Sequence, residues 1–128
     1  MEDSTHPPTT VRILLVSPDL MLTSRVAGLA RDLPARVETL RSLEAEPSGG
    51  PYDLVLLDTG SIQGDPAVML TRIRAILGSS PAPIAAFGPH VHRDRLAQAR
   101  DAGADHVVSR GELLGGFTPL VTRWCRPS

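Results

Sequence analysis

The chain has 128 residues, the length of one ordinary domain, and its 41% of apolar residues is enough for a packed core. Charged residues make up 21% and the net charge is -1, which excludes the basic surface of a nucleic-acid-binding domain. The acidic, polar start is unlike a signal peptide, and no apolar run reaches the roughly 18 residues of a membrane helix. We therefore expect a single cytoplasmic domain that binds neither nucleic acid nor membrane.

The predicted strands begin after a short leader. Residues 1–10 mix proline, threonine and charge with nothing apolar to anchor them, which predicts a flexible leader ahead of one domain over residues 11–126. Short apolar or alternating runs, several of them rich in β-branched residues, are typical of strands. Five such runs follow in chain order, at residues 11–16, 36–40, 52–57, 83–87 and 106–109.

Apolar residues at helical spacing lie between these runs. A first helix of about 14 residues is predicted to end before Pro34, which cannot continue it. Asp65 and Pro66 are the residue types typical of an N-cap and a first helical position, so a second helix is predicted to begin there. An alanine-rich helix is predicted over residues 93–102, and a last one from about Thr118.

The alternation of strands and helices predicts an α/β fold. Its expected form is a flavodoxin-like, doubly wound, five-stranded parallel sheet of order 2-1-3-4-5, a (βα)₅ unit. In such sheets ligands bind beyond the carboxyl ends of the strands, near the switch point between strands 1 and 3. Asp58 ends strand 3, and Ser17, Pro18 and Asp19 follow strand 1. We expect these residues to be neighbours.

The run Asp58-Thr59-Gly60-Ser61 also matches the active-site signature of aspartic proteases. Such an enzyme needs two carboxylates that share a proton, whereas this chain has one Asp-Thr-Gly and would have to act as a dimer. The helical spacing and helix caps that follow Asp58 disagree with the all-β fold of those proteases. The sequence therefore disfavours the protease interpretation.

Residues 11–125 resemble the receiver domain of bacterial two-component response regulators (CheY-like). The resemblance is strongest in Tyr52–Asp58, which looks like the phosphoacceptor strand, and in Ala99–Val108, which looks like the passage leading to the family's lysine. It implies a phosphorelay signalling module in which Asp58 occupies the phosphoacceptor position. A histidine kinase would be the usual phosphodonor, and Mg²⁺ the usual cofactor.

The resemblance also implies that the rest of the receiver site is degenerate. The family's acidic pair falls on Ser17 and Pro18, with Asp19 one position late. The family's hydroxyl after strand 4 falls on Gly88, and its lysine falls on Arg110. Because Mg²⁺ prefers carboxylates, we expect an atypical or pseudo-receiver with no cofactor. If Mg²⁺ were bound at all, its ligands would be Asp58 and Asp19.

Several residues near this edge have two open interpretations. Asp58 is either a phosphoacceptor or a structural carboxylate that pairs with Arg110 or accepts loop N–H groups. Asp19 is either a helix N-cap, which we favour, or a surviving metal ligand. Thr59 and His90 are expected at the pocket rim. His90 and His92 could bind a metal only with a third ligand.

Three features outside the site have simpler expected roles. Trp124 should pack on the sheet, and Cys125 should be a small, unreactive helix residue near the end of the domain. The arginines of the third predicted helix alternate with aspartates, which is typical of a solvated face; they are Arg93, Arg95 and Arg100.

The function expected from these observations is that of a stand-alone, non-enzymatic signalling module. It would act by binding a protein partner through about residues 87–124, as a monomer or homodimer, without conventional phosphorylation. The alternative is a phosphate-accepting receiver that is phosphorylated on Asp58 by a histidine kinase or a small phosphodonor. A small enzyme or ligand binder that uses the same pocket ranks last.

Overall fold

The computed structural model describes residues 10–125, and nine of the ten predicted leader residues lie outside this range. Five parallel strands form one sheet in the order β2-β1-β3-β4-β5, as predicted. Each lies within two residues of its predicted bounds. The strands are β1 (Val11–Val16), β2 (Ala35–Leu40), β3 (Leu54–Asp58), β4 (Ile84–Gly88) and β5 (His106–Ser109).

Within residues 10–125, five helices cover the sheet. They are α1 (Leu20–Ala30), α2 (Pro66–Leu77), α3 (Arg93–Asp101), α4 (Arg110–Gly115) and α5 (Phe117–Trp124). The predicted caps of two helices are confirmed, since Asp19 accepts the N–H of Leu22 and Asp65 accepts that of Ala67. No helix of the described residues is long and apolar enough to cross a membrane.

Helix α4 was not predicted from the sequence. Ser109 and Glu112 form a reciprocal capping box, in which each side chain accepts the backbone N–H of the other residue. This box starts a helix directly after β5. The chain therefore becomes helical earlier than expected, since a single helix from about Thr118 was predicted. The spacing Ser-x-x-Glu is visible in the sequence and could have revealed the helix.

The connection between β2 and β3 contains no helix, so the strict (βα)₅ alternation is interrupted there. Glu38 holds residues 41–53 by accepting hydrogen bonds from the backbone and hydroxyl of Ser48 and from the hydroxyl of Tyr52. Arg72 of α2 holds the same connection by donating to the carbonyl oxygens of Leu43 and Ala45. Side-chain contacts thus fix this irregular segment in place of helical hydrogen bonds.

The core has two layers, one on each face of the sheet. Helices α1, α4 and α5 pack on one face and helices α2 and α3 on the other. Trp124 packs in the first layer, as predicted, and stacks on His106 with ring centroids 4.9 Å apart. Cys125 is half-buried, and burial raises the pKa of its thiol to about 11, so the thiol stays protonated and a poor nucleophile.

The strand register brings the candidate site residues to one edge. Val16 pairs with Leu57, and Asp58 pairs with Phe87, so the residues that follow β1, β3 and β4 meet at the carboxyl edge. The neighbourhood predicted for Asp58 and the loop after strand 1 is therefore confirmed. The physical reason is that parallel strands of similar length deliver their next residues to the same side of the sheet.

Candidate functional site

Asp58 is completely buried, and protein groups satisfy both of its carboxylate oxygens. Oδ1 accepts the backbone N–H groups of Gly60 and Ser61, each at 3.1 Å. Oδ2 accepts the hydroxyl of Ser17 at 2.7 Å. Of the two structural roles expected for this carboxylate, acceptance of loop N–H groups is the one that forms. Such charge-assisted bonds stabilise a carboxylate without a metal ion.

Ser17 ties the loop after β1 to the end of β3. Its hydroxyl oxygen donates its proton to Asp58 and accepts the backbone N–H of Asp19 at 3.1 Å. Ser17 is completely buried, whereas the neighbouring Pro18 is exposed and has no side-chain ligand atom. Ser17 therefore contributes a neutral hydrogen-bond donor, and no second negative charge, beside Asp58.

Arg110 does not pair with Asp58, and that expectation was wrong. Its Nη2 atom lies 2.8 Å from Oδ2 of Asp19, so the start of α4 is linked to the loop after β1. Asp19 uses its other oxygen to accept the N–H of Leu22 at the start of α1. The hydrogen bond from Arg110, followed by that from Leu22, holds the pKa of the Asp19 carboxyl below its usual value.

The loop after Asp58 is held by Arg95, which corrects the expectation that this arginine lies on a solvated face. Its guanidinium donates to the carbonyl oxygens of Thr59, Ile62 and Gly64. Arg95 therefore fixes the backbone that presents two N–H groups to Asp58. Its five N–H donors in a planar fork suit this multiple contact, which a lysine could not reproduce.

Two close contacts complete the enclosure of Asp58. Gly60 packs against the ring of Pro89, and a Cβ atom on residue 60 would overlap Cδ of that proline. Thr59 is buried, not at the rim as expected, and its hydroxyl donates to the carbonyl oxygen of Phe87 at 3.0 Å. A Cβ atom on Gly88 would lie only 3.0 Å from that hydroxyl oxygen. Thr59 thus fills space that a larger residue 88 would need.

The donor set does not fit Mg²⁺. Of the two carboxylates near the site, Asp58 is buried and fully hydrogen-bonded, and Asp19 is occupied by Arg110 and an N-cap bond. Mg²⁺ requires near-octahedral oxygen coordination, which these groups do not offer. His90 and His92 are exposed, and the described part of the chain contains no cluster of three metal-binding side chains around them.

Solved structures with the same fold are receiver domains. The receiver domain of a sensor histidine kinase from Pseudomonas aeruginosa, with magnesium coordinated in its active-site cleft, is 21% identical, with a TM-score of 0.70 over 91% of this chain and 98% of that chain. The phosphorylated cyanobacterial phytochrome response regulator RcpA is 17% identical, with a TM-score of 0.73 over 91% and 94% of the two chains. An orphan response regulator of H. pylori is 16% identical, with a TM-score of 0.72 over 94% and 100%.

These likenesses define the class of fold. The chain has the receiver-domain fold of CheY-like response regulators, which are generally non-enzymatic signalling modules. No protein-family model matches the sequence, and no curated protein matches it. At identities of 21% and below, the likeness shows the fold alone.

Proposed function

We propose that this chain is an atypical receiver-like signalling module that acts by protein–protein interaction, without Mg²⁺-dependent phosphorylation of Asp58. The observation that carries the proposal is the complete burial of Asp58 behind three hydrogen bonds from the protein itself. Phosphorylation requires a carboxylate oxygen to approach the phosphorus of the donor in line with the leaving group. Here both oxygens accept hydrogen bonds from the protein, so neither is free to do so. In this proposal Asp58 has a structural role, because its hydrogen bonds hold together the loops after β1 and β3.

Charge at the site supports the same conclusion. Phosphoryl transfer depends on cations that neutralise the charge developing on the phosphoryl oxygens. Arg110 is the cation at the lysine position, and Asp19 already neutralises it at 2.8 Å. Ser17 and Pro18 carry no charge to hold a metal ion. Asp58 is therefore neither exposed to a phosphodonor nor bonded to a cation of the described residues.

Exposed apolar residues support a binding role. The described residues include four large hydrophobic side chains that are exposed, and all four follow the carboxyl end of a strand. They are Leu20, Met21, Val68 and Val91. Val91 alone belongs to the range 87–124 in which a partner surface was expected. We therefore extend the proposed partner surface to the carboxyl edge, with Met21, which is 83% exposed, as its most prominent apolar residue.

The phosphorylation half of the proposal is tested with acetyl phosphate and with beryllofluoride, each with Mg²⁺. We expect no mass increase and no change of the amide NMR spectrum in the wild-type chain, and the same result for Asp58→Asn. A competent receiver treated in parallel shows that the reagents are active. A stoichiometric, Mg²⁺-dependent modification of wild type that Asp58→Asn abolishes would instead establish the alternative, a phosphate-accepting receiver.

The binding half is tested by affinity capture with quantitative mass spectrometry. A partner captured by wild type should be captured equally with and without Mg²⁺ and acetyl phosphate, because binding does not require phosphorylation. Met21→Lys should lose it. Ala75→Lys, at an exposed position on the outer side of α2, is the matched control and should retain it. Equal loss with the two lysine variants would remove the carboxyl edge from the proposal.

A further inference from the structure

A cavity opens beside the enclosed aspartate, at the switch point of the sheet. Its volume is about 280 Å³, near the small end of the roughly 300–1,000 Å³ typical of ligand pockets. Residues that follow β1, β2 and β3 line it, among them Pro18, Arg41 and Ser61. Doubly wound sheets bind ligands in the crevice outside the carboxyl ends of strands at this switch point. Part of its wall comes from the irregular segment that replaces a helix after β2.

The two walls of this cavity are held in place before any ligand arrives. On one side, Arg72 donates to the carbonyl oxygen of the lining residue Leu43 at 2.6 Å. On the other side, Arg95 donates to the carbonyl oxygen of the lining residue Ile62 at 3.0 Å. A preformed pocket avoids much of the ordering cost that binding otherwise incurs. Leu43 and Ile62 also belong to the core layer formed with α2 and α3, so their backbones are anchored by packing as well.

The cavity contains one cationic and one anionic residue that have no partner in the described part of the chain. Arg41 and Glu44 both line it, and neither makes a side-chain hydrogen bond or an ion pair with a described residue. By contrast, Arg110 and Asp19 at the same edge are paired with each other. A ligand that carries both charges would match this pair, and the apolar atoms of Leu43 and Ile62 would suit a small aliphatic group.

We propose that this cavity binds a small aliphatic α-amino acid or a closely similar zwitterion. Arg41 would bind the carboxylate, and Glu44 would bind the ammonium group. Ser61 joins this cavity to the aspartate, because it lines the cavity while its N–H donates to Asp58. Occupancy of the cavity would therefore stiffen the loop after β3 and bias the carboxyl edge, which would give the module a ligand input in place of phosphorylation.

The test is an NMR titration of the full chain with leucine, N-acetylleucine and leucinamide. Leucine should give saturable shifts at the amides of Ser42, Ser61 and Ile62 in the millimolar range. The acetylated analogue lacks the ammonium group and the amide lacks the carboxylate, so each should bind at least about tenfold more weakly, a loss of ~1.4 kcal/mol. Equal binding of all three compounds, or the absence of saturable shifts with leucine, would overturn the proposal.

Charge variants identify the residues involved. Arg41→Gln and Glu44→Gln should each weaken leucine binding at least about tenfold. The matched controls are Arg25→Gln and Asp32→Asn, which remove one cation and one anion at exposed positions outside the cavity, and both should bind like wild type. Weakening by the controls as large as that by the cavity variants would refute a specific site. The titration needs neither a partner protein nor a phosphodonor, so its failure is separate from failure of the proposed function.

Discussion

The enclosed Asp58 and the open cavity beside it share one edge of the sheet and one loop. The carboxylate of Asp58 has hydrogen-bond partners within the protein, whereas the charged groups that line the cavity have no described partner. Around Asp58, hydrogen bonds from Ser17, Gly60 and Ser61 satisfy the carboxylate, and the residue is completely buried. In the cavity, Arg41 and Glu44 line about 280 Å³ of free space without a described partner. The comparison teaches that one edge of a sheet can hold a carboxylate whose hydrogen bonds are all internal and, beside it, charged groups that remain available to a ligand.

The largest effect should come from removal of the hydroxyl that encloses the aspartate. Ser17→Ala leaves Oδ2 of the buried Asp58 without its donor and should lower the free energy of unfolding by about 1.5–3 kcal/mol. Ser24→Ala, at an exposed position on α1, is the control and should change stability by no more than about 0.5 kcal/mol. Urea denaturation midpoints measure both. Equal midpoints for the two variants would show that Asp58 does not depend on Ser17.

The two anchoring arginines hold different segments: Arg72 holds only the cavity wall after β2, whereas Arg95 holds the loop after β3 that Asp58 and the cavity share. Arg95→Met removes the donors to three carbonyl oxygens and should cost about 1–2 kcal/mol, with faster hydrogen exchange at Gly60 and Ser61. Arg72→Met removes the donors to two carbonyl oxygens and should cost about 1 kcal/mol, with little change at those two amides.

Hydrogen exchange decides whether the enclosure and the cavity have separate supports. If Arg72→Met accelerates exchange at Gly60 as much as Arg95→Met does, the two walls behave as one unit and the contrast between the sites fails.

The contact between Gly60 and Pro89 tests whether the enclosure depends on tight packing. Gly60→Ala places a Cβ atom into the proline ring, so the loop must shift, at a cost of about 1–3 kcal/mol. In Gly28→Ala the new methyl group meets nothing within 4 Å, and the variant should gain up to about 1 kcal/mol from helix propensity. Thermal unfolding compares the two variants. A stable Gly60→Ala chain would mean that the loop is looser than its contacts indicate.

The smallest effect should come from the link between Asp19 and Arg110. Asp19→Asn keeps an N-cap residue type but removes the charge, and an ion pair that is about a third exposed contributes at most about 1 kcal/mol. Because the folded-state pKa of Asp19 is lowered, its contribution is present above the ordinary aspartate value of about 3.9 and is lost as pH falls below it. Unfolding measured from neutral to acidic pH should show a steeper loss in wild type than in Asp19→Asn. Parallel curves would indicate that the pair contributes nothing.

Residues whose roles depend on neighbours in the chain were predicted well from the sequence. The N-caps Asp19 and Asp65 hold because a capping side chain reaches only two or three residues along its own helix. The capping box of Ser109 and Glu112 belongs to the same class and could have been found by its spacing. The order of the strands also followed from the sequence, since short apolar runs alternate with helical patterns.

Partners distant along the chain were not predictable in the same way. Arg110 and Asp19 are 91 positions apart along the chain. Whether Arg110 bonds to Asp19 or to Asp58 depends on where these side chains lie in the folded chain, which no local sequence pattern encodes. Arg95 looked like one of several solvated arginines, because the sequence does not show that a loop of carbonyl oxygens lies opposite it.

The sequence by itself determined the parallel sheet and the place of Asp58 at its carboxyl edge. Through the resemblance to receivers it also predicted that their acids, hydroxyl and lysine are absent around that aspartate. Periodicity, caps and residue types carry this information, and all are properties of short segments. Only the tertiary structure decided that Asp58 is fully enclosed, that Arg110 pairs elsewhere, and that a separate cavity lies beside it. Hydrogen bonds and free volume depend on where distant segments come to lie, and packing sets those positions.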